Sequence, residues 1–164
     1  MRVIFLTRGK FAKVDDADYD WLNQWKWHAR NSRDTWYAAR TTSMDAEGTQ
    51  RCILMHRELA AQLGLEMVDH RNGDGLDNQR HNLRPCSRAQ NAANRKIHKN
   101  NQSGFRGVRF DSGKYRLPWR ADIQASGKRE YLGNFACPAE AARAYNERAT
   151  ALFGDFARLN TIPT

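Results

Sequence analysis

Sixteen residues near the middle of the chain bring together side chains that could bind a metal ion and move a proton. They read DHRNGDGLDNQRHNLR and run from Asp69 to Arg84. The carboxylate of Asp69 can bind a hard cation, and the imidazole of His70 can take a proton from water. Asn91, farther along the chain, could supply a second oxygen ligand. This donor set suits Mg²⁺ or Mn²⁺, which prefer oxygen and keep water positions that a substrate phosphate can displace.

Hydrolysis of a phosphodiester needs an activated water, a cation for the developing negative charge, and a protonated or metal-bound leaving oxygen. Each residue type here also has a plainer use. An Asp-His pair is often only a surface pair, and Asn and Gly in a loop often serve only the turn. Asn82 in a predicted strand and Asn91 in a predicted helix are harder to explain in that way, since neither position favours Asn by propensity. Together the four residues favour an active site.

The elements that must position these residues are a strand, a loop, a second strand and a helix. LEMVDH (65–70) and HNLRPC (81–86) are predicted as short strands, and RNGDGLDNQ (71–79) as a turn-rich loop between them. A helix is predicted over 87–96, with Ser87 as its cap. Successive side chains on a strand point to opposite faces, so Asp69 and His70 are expected to face different surroundings. Arg84, on the second strand, could contact a phosphate or serve only the surface.

The segment before this stretch is predicted to be a small α+β unit. RVIFLT, TWYAARTT and RCILM are predicted strands, and VDDADYDWLNQWKW offers acidic capping residues followed by Trp21, Leu22 and Trp25 at helical spacing. A second amphipathic helix is predicted over 55–63, before the helix terminator Gly64. His56 on that helix could approach the Asp-His stretch, or it could be hydrogen-bonded within the core.

The segment after residue 102 has a different pattern. FRGVRF, YRLPWRADIQA and KREYLGNF are predicted as three strands with glycine-containing turns, followed by a helix from Pro138 to about Phe153. This predicts a three-stranded antiparallel meander with one packed helix. Alternation along the second strand places Trp119 on one face and Arg120 with Asp122 on the other. Gly107, lacking a side chain, could let the backbone approach DNA closely.

The charge distribution points to a nucleic acid. The chain carries 27 basic and 18 acidic residues, a net charge of +9. Residues 1–83 hold 12 of each sign, whereas residues 84–100 hold five basic and no acidic residues. A basic surface with aromatic residues nearby is typical of nucleic-acid binding, although a basic surface without a partner is the alternative. No apolar run is long enough for a membrane span, and the start is charged too early for a secretory signal. Three widely spaced cysteines argue against disulfides and a cysteine zinc site, and favour a reducing cytoplasm.

The stretch VDHRNGDGLDNQRHNLRPCSRAQNAANR resembles the HNH nuclease motif, in the branch found among phage and bacterial homing endonucleases. The H, N and N of that motif map onto His70, Asn82 and Asn91. The resemblance implies that His70 is the general base and that Asp69 and Asn91 are the metal ligands. It also implies that Asn82 hydrogen-bonds across the loop and holds the two strands in register. GKFAKVDDADYDWLNQWKW and HRELA extend the resemblance over about residues 1–97.

Residues 103–160 resemble the DNA-binding domain of plant Apetala-two/ethylene-response transcription factors, through FRGVR, WRADI, YLGNF, EAARAYNERA and FGDFARLN in that order. The resemblance implies DNA contacts by Arg106, Arg109, Trp119, Arg129 and Tyr131. The first hairpin, DSGKYRLP, is longer than the plant pattern, and Gln124 stands where an Arg is usual. Further DNA-backbone contacts are expected from the basic segment before this domain: Arg84, Arg88, Arg95 and Lys96.

These observations predict an α+β protein, with an HNH ββα-metal nuclease fold followed by a small three-stranded antiparallel sheet and one helix. The expected domains are a nuclease domain over 1–97, with its ββα core at about 65–97, a linker over 98–102 and a DNA-binding domain over 103–160. The expected function is sequence-targeted, homing-type nicking of double-stranded DNA with one Mg²⁺ or Mn²⁺, by a monomer in the cytoplasm of a bacterial or phage-infected cell. One alternative is a non-cutting DNA-binding regulator with a relic nuclease fold. Another is a nuclease that acts on RNA or on any DNA.

Overall fold

The computed structural model describes residues 1–32, 35–95, 97, 100–113 and 116–163. The chain divides into two compact units, Met1–Ser87 and Arg88–Thr164. This division leaves the two strands around the Asp-His stretch in the first unit, and the helix after them in the second. The predicted domain and linker bounds stay a prediction.

The first unit builds three small antiparallel sheets and two helices from its described residues. In chain order these are β1 Arg2–Phe5, β2 Phe11–Val14, α1 Asp16–Leu22, β3 His28–Ser32, β4 Thr35–Thr41, β5 Cys52–Leu54, α2 Met55–Gln62, β6 Val68–His70 and β7 Leu83–Pro85. The sheets pair β1 with β2, β4 with β3 and β5, and β6 with β7. One core joins them, because every element except β5 contributes at least one buried side chain. Leu22 of α1 and Met55 and Leu59 of α2 are fully buried at its centre.

The second unit contains α3 Arg88–Ala93, β8 Val108–Phe110, β9 Trp119–Ala125, β10 Lys128–Phe135, α4 Pro138–Phe153 and a 3₁₀ turn Gly154–Phe156. β9 lies between β8 and β10 in an antiparallel sheet. Alternate residues of the sheet, Val108, Ala121 and Ile123, are buried beneath α4. Alanines 141, 142 and 149 form the buried face of the helix, and their small size allows it to approach the sheet closely.

The structure confirms a mixed α and β protein with small antiparallel sheets. The meander and the helix from Pro138 to Phe153 are as predicted. Two predicted helices end early: α1 ends at Leu22, and α3 ends at Ala93. Trp25 lies outside α1, where its ring packs edge-on against Trp21 and Trp27. No helix among the described residues combines the length and the apolarity needed to cross a membrane.

Candidate active site and candidate nucleic-acid interface

The loop between β6 and β7 is held together by side-chain amides. Asn82 Nδ2 donates to Asn72 Oδ1 at 3.1 Å and to the carbonyl of Asp77 at 2.7 Å, while Asn82 Oδ1 accepts from the Asn72 amide at 3.1 Å. The expected hydrogen bonding across the loop is therefore present. The expectation that Asn82 lies in a strand is wrong: it occupies the turn before β7, a position that Asn favours.

The N-terminal elements hold this loop from outside. The amide of Lys13 on β2 donates to the carbonyl of Leu76, and the carbonyl of Lys13 accepts from the amide of Asn78, both at 2.8 Å. Asp15, expected as a helix cap, makes no side-chain bond to α1; its Oδ2 instead accepts from the amide of Arg80 at 2.7 Å. Asp18 binds the Arg80 guanidinium through two bonds of 2.8 and 2.7 Å. The shape of the loop is thus set by residues far away in the sequence.

His70 is buried beside this loop, with only 6% of its surface exposed. Its Nε2 lies 3.3 Å from Oδ1 of the fully buried Asn78, whose Nδ2 donates to the carbonyl of Leu76. An amide oxygen can only accept, so His70 Nε2 carries the proton, and Nδ1 of the neutral ring holds the lone pair. Burial lowers the pKa of His70, against the opposing effects of the Asn78 bond and of nearby carboxylates. The ring is therefore neutral at pH 7, which is the form that can act as a base.

His56 and Tyr37 complete a cluster of rings around His70. The centroid of the His56 ring lies 5.0 Å from that of His70 in an edge-to-face arrangement, and the Tyr37 ring lies 5.2 Å from His56 and 5.9 Å from His70. His56 Nδ1 is buried and has no hydrogen-bond partner among the described residues. Burial, followed by the charges of His70 and Arg57, lowers the pKa of His56 to about 3. Of the two possibilities for His56, its approach to the Asp-His stretch is the one observed.

Asp69 faces away from this cluster, as the strand alternation predicts. It stands directly opposite Arg84 in the β6–β7 register, and its Oδ2 accepts from Nε and Nη2 of Arg84 at 3.2 and 3.0 Å. Both side chains are only 8% exposed. Of the two alternatives for Arg84, the surface position is wrong, because the buried carboxylate opposite it draws the guanidinium inward. Its role as a phosphate contact stays a prediction.

The oxygen donors of this stretch suit the metal that the motif implies. No group of three or more His, Cys, Asp or Glu side chains that could hold a metal ion is found among the described residues. Mg²⁺ does not require three such protein ligands, since it is commonly bound by one or two protein oxygens together with several waters. Asp69 meets that need, although Arg84 competes for its Oδ2. Asn91 lies on α3 of the second unit, half-buried, and its assignment as a ligand stays a prediction.

In the second unit, three arginines converge on one carboxylate on the sheet face opposite α4. The Nε atoms of Arg109 and Arg120 lie 3.5 Å from Asp122 Oδ2, and Nε of Arg129 lies 3.4 Å from Oδ1. The Arg120 guanidinium also stands 4.7 Å above the ring of Tyr131. Three of the predicted DNA contacts are therefore brought together on one exposed, cationic face: Arg109, Arg129 and Tyr131.

The other two predicted contacts of this unit lie elsewhere. Trp119 shares the helix side of the sheet with Ala121 and packs against Phe110, with ring centroids 5.2 Å apart. Burial lowers the pKa of Arg106, which lies against Tyr145 of α4. The structure thus separates Trp119 and Arg106 from the arginine face. For Trp119 the sequence pattern indicates the same separation, because strand alternation puts Trp119 and Arg120 on different faces of the sheet.

The space beside Gly107 is filled by other residues of the second unit, whereas the sequence predicts that DNA approaches there. A Cβ at this position would overlap the ring of Tyr145 and the carbonyl of Asp122. The missing side chain therefore makes space for packing within the unit, and the expectation that it makes space for DNA is wrong. Gly107 has φ +71°, which independently favours glycine.

Of the basic residues before β8 that are predicted to contact DNA, Arg88 and Arg95 are exposed, whereas Lys96 lies outside the described residues.

The sequence interpretation missed four residues that the structure places in these sites: Tyr37, Asn78, Arg120 and Asp122. For Arg120 and Asp122 the strand alternation was a usable signal. For Tyr37 and Asn78 the contact with His70 depends on tertiary packing, which no local pattern marks. No protein-family model matches this chain, and no solved structure matches it at a significant level.

Proposed function

We propose that this protein is a metal-dependent DNA endonuclease of the HNH type, with a second unit that binds duplex DNA. The observation that carries the proposal is the state of His70. It is a buried, neutral imidazole, held by Asn78 through Nε2, next in sequence to a carboxylate. A neutral histidine whose ring is fixed by a hydrogen bond is suited to proton abstraction from water.

In the proposed reaction, Nδ1 of His70 takes a proton from a water molecule. The resulting hydroxide attacks the phosphorus, the bond from phosphorus to the 3′ oxygen breaks, and that oxygen takes a proton from water. The products are a 5′ phosphate and a 3′ hydroxyl. A divalent metal held by Asp69 would, when bound, stabilise negative charge on the departing oxygen. The Asn72–Asn82–Asp77 network keeps the loop that carries Asn78 in place, and so fixes the ring of His70. One such site in a monomer nicks one strand.

The second unit would supply most of the affinity for duplex DNA through the face that carries Arg109, Arg120 and Arg129. Guanidinium groups bind phosphate oxygens and guanine edges, and Asp122 holds these three side chains close together before DNA arrives. Tyr131, under Arg120, gives the same face an aromatic surface.

Cleavage of supercoiled plasmid and of library DNA, with and without Mg²⁺ or Mn²⁺, tests the proposal. The variant His70→Gln keeps a donor for Asn78 but has no basic nitrogen, so nicking should fall by at least about two orders of magnitude while DNA binding persists. His70→Ala should lose the same activity and also some stability. Wild-type nicking rates in the glutamine variant would remove His70 from the mechanism.

A non-cutting DNA-binding regulator is the second candidate, and the Asp69–Arg84 pair favours it. A carboxylate that neutralises a buried guanidinium is less available to a metal ion. This candidate predicts tight duplex binding by the wild-type protein without nicking at any Mg²⁺ or Mn²⁺ concentration. It also predicts that His70→Gln leaves the affinity for duplex DNA unchanged.

A further inference from the structure

The β1–β2 hairpin carries an exposed pair of aromatic rings. Phe5 and Phe11 stand directly opposite each other in the antiparallel register, with 82% and 47% of their surfaces exposed. Ile4 and Ala12, on the other face of the same hairpin, are buried in the core of the first unit. Scattered exposed apolar residues are ordinary, but two neighbouring large rings form a patch that favours an interaction site.

The charged side chains within the hairpin all have the same sign. Residues 1–14 contain four basic and no acidic residues. Asp15 and Asp18 accept hydrogen bonds from Arg80, whereas Asp16 and Asp20 pair with the N-terminus and Arg2 of the hairpin, which leaves Arg8, Lys10 and Lys13 as its other basic residues. Around the turn, Arg8 and Lys10 lie over the ring of Trp36, at 5.6 and 4.7 Å. The zero net charge of residues 1–83 therefore conceals a hairpin that is wholly basic.

This hairpin is also joined to the loop of the candidate active site. β2 forms a parallel bridge between Lys13 and Asp77, through backbone bonds to Leu76 and Asn78. Lys13 shares the outer face of the hairpin with the two phenylalanines, since it lies two residues from Phe11. The aromatic pair and the loop that holds His70 therefore belong to one hydrogen-bonded layer.

We infer that this aromatic hairpin, defined by Phe5, Arg8, Lys10, Phe11 and Lys13, is a second DNA contact. It would act beside the cutting site, within the first unit. The three cations meet phosphates, and the two rings stack against bases at a step that is kinked or locally opened. Apolar rings that enter a base step are used in this way by DNA-bending proteins, and base–aromatic stacking needs no particular sequence. A protein partner would leave the uniform basic charge without a use. The inference rests on the proposed function, because it takes DNA as the substrate.

Binding of the full-length protein to two duplexes tests the inference. The probes are a duplex of arbitrary sequence and the same duplex with one unpaired nucleotide, each titrated across a salt series. Phe5→Ala and Phe11→Ala should each weaken binding by about 5- to 100-fold, with the larger effect on the duplex that has one unpaired nucleotide. The salt dependence should stay unchanged because no charge is lost. Arg8→Ala should make the salt dependence shallower by about one unit. Met44→Ala removes another exposed apolar side chain, outside the hairpin, and should change neither quantity.

Unchanged affinity of the double variant Phe5→Ala/Phe11→Ala for both duplexes overturns the inference. The inference is also overturned if the wild-type protein is a dimer and the double variant is a monomer with unchanged DNA affinity, since the patch would then bind a second copy of the chain. A wild-type protein that binds no duplex overturns both this inference and the proposed function. A protein that binds DNA through the hairpin but never nicks it refutes only the cutting reaction and leaves the hairpin contact standing.

Discussion

Two aspartates on α1 offer a matched test of how the site loop is anchored. Asp18 is 1% exposed and binds the Arg80 guanidinium through two hydrogen bonds, whereas the side chain of Asp20 is 89% exposed and meets Arg2 at the surface. Asp18→Asn and Asp20→Asn are the same chemical change, two positions apart on one helix. A charge-assisted hydrogen bond contributes about 1.5–3 kcal/mol, and an exposed ion pair contributes less than about 1 kcal/mol.

Asp18→Asn should therefore lower the free energy of unfolding by about 2–4 kcal/mol. The lower half of that range is expected, because the Arg80 side chain is 49% exposed and can return to water. Asp20→Asn should cost less than about 1 kcal/mol. Urea unfolding followed by tryptophan fluorescence suits the measurement, since four of the five tryptophans lie in the first unit. Equal unfolding free energies for the two variants, within about 0.5 kcal/mol, would refute the anchoring role of the Asp18–Arg80 pair.

The pH dependence gives this prediction a second readout. The hydrogen bond from Arg80 is the largest cause that lowers the pKa of Asp18, and it outweighs burial. A carboxyl group whose pKa is lowered by folding stabilises the fold above its unfolded pKa, and this contribution is lost as the pH falls through the folded pKa. The deficit of Asp18→Asn should accordingly be full at neutral pH and should shrink below about pH 3.8.

Three further outcomes are expected. The pKa of His56 falls on folding from 6.5 to about 3, so the unfolded state binds more protons across that window and the free energy of unfolding decreases as the pH drops. In His56→Phe this decrease between pH 7 and 5 should be smaller by about 2 kcal/mol, and an equal decrease in both proteins would contradict the assignment. Gly107→Ala should destabilise the second unit by more than about 3 kcal/mol, whereas Gly104→Ala, with φ +73° and open space, should cost about 1 kcal/mol by thermal unfolding. Arg109→Ala should make the salt dependence of DNA binding shallower by about one unit, and Arg106→Ala should instead lower the unfolding temperature; the reverse pattern would contradict the assigned faces.

The second unit was the more predictable part of the fold, because its signals are local. Period-two alternation in WRADI, and helical spacing that ends at Gly154, specify a strand and a helix wherever they occur. β2 and β3 in the first unit were missed because FAKV and HARNS are short and partly polar. α1 ends before Trp25 because aromatic packing there overrides helical periodicity.

The candidate site divides in the same way. Strand alternation alone predicted that Asp69 and His70 face different surroundings. The partner of Asp69 depends on the register between β6 and β7, which the sequence does not reveal. The contacts of His70 with Asn78 and Tyr37 depend on how a loop and a sheet pack together. Long-range pairing therefore accounts for most of what the sequence interpretation missed.

The anchoring of the loop has a consequence for the order in which the chain folds. The hydrogen bonds that Gln79 and Arg80 donate to Asp15 and Asp18 join residues 62 to 65 positions apart. Closing a loop of that length costs conformational entropy before any of these bonds contributes, so the contacts form late in folding. During synthesis, the N-terminal hairpin and α1 must wait without their partners until residue 80 has left the ribosome. The surroundings of His70 are thus completed only when the two ends of the first unit meet.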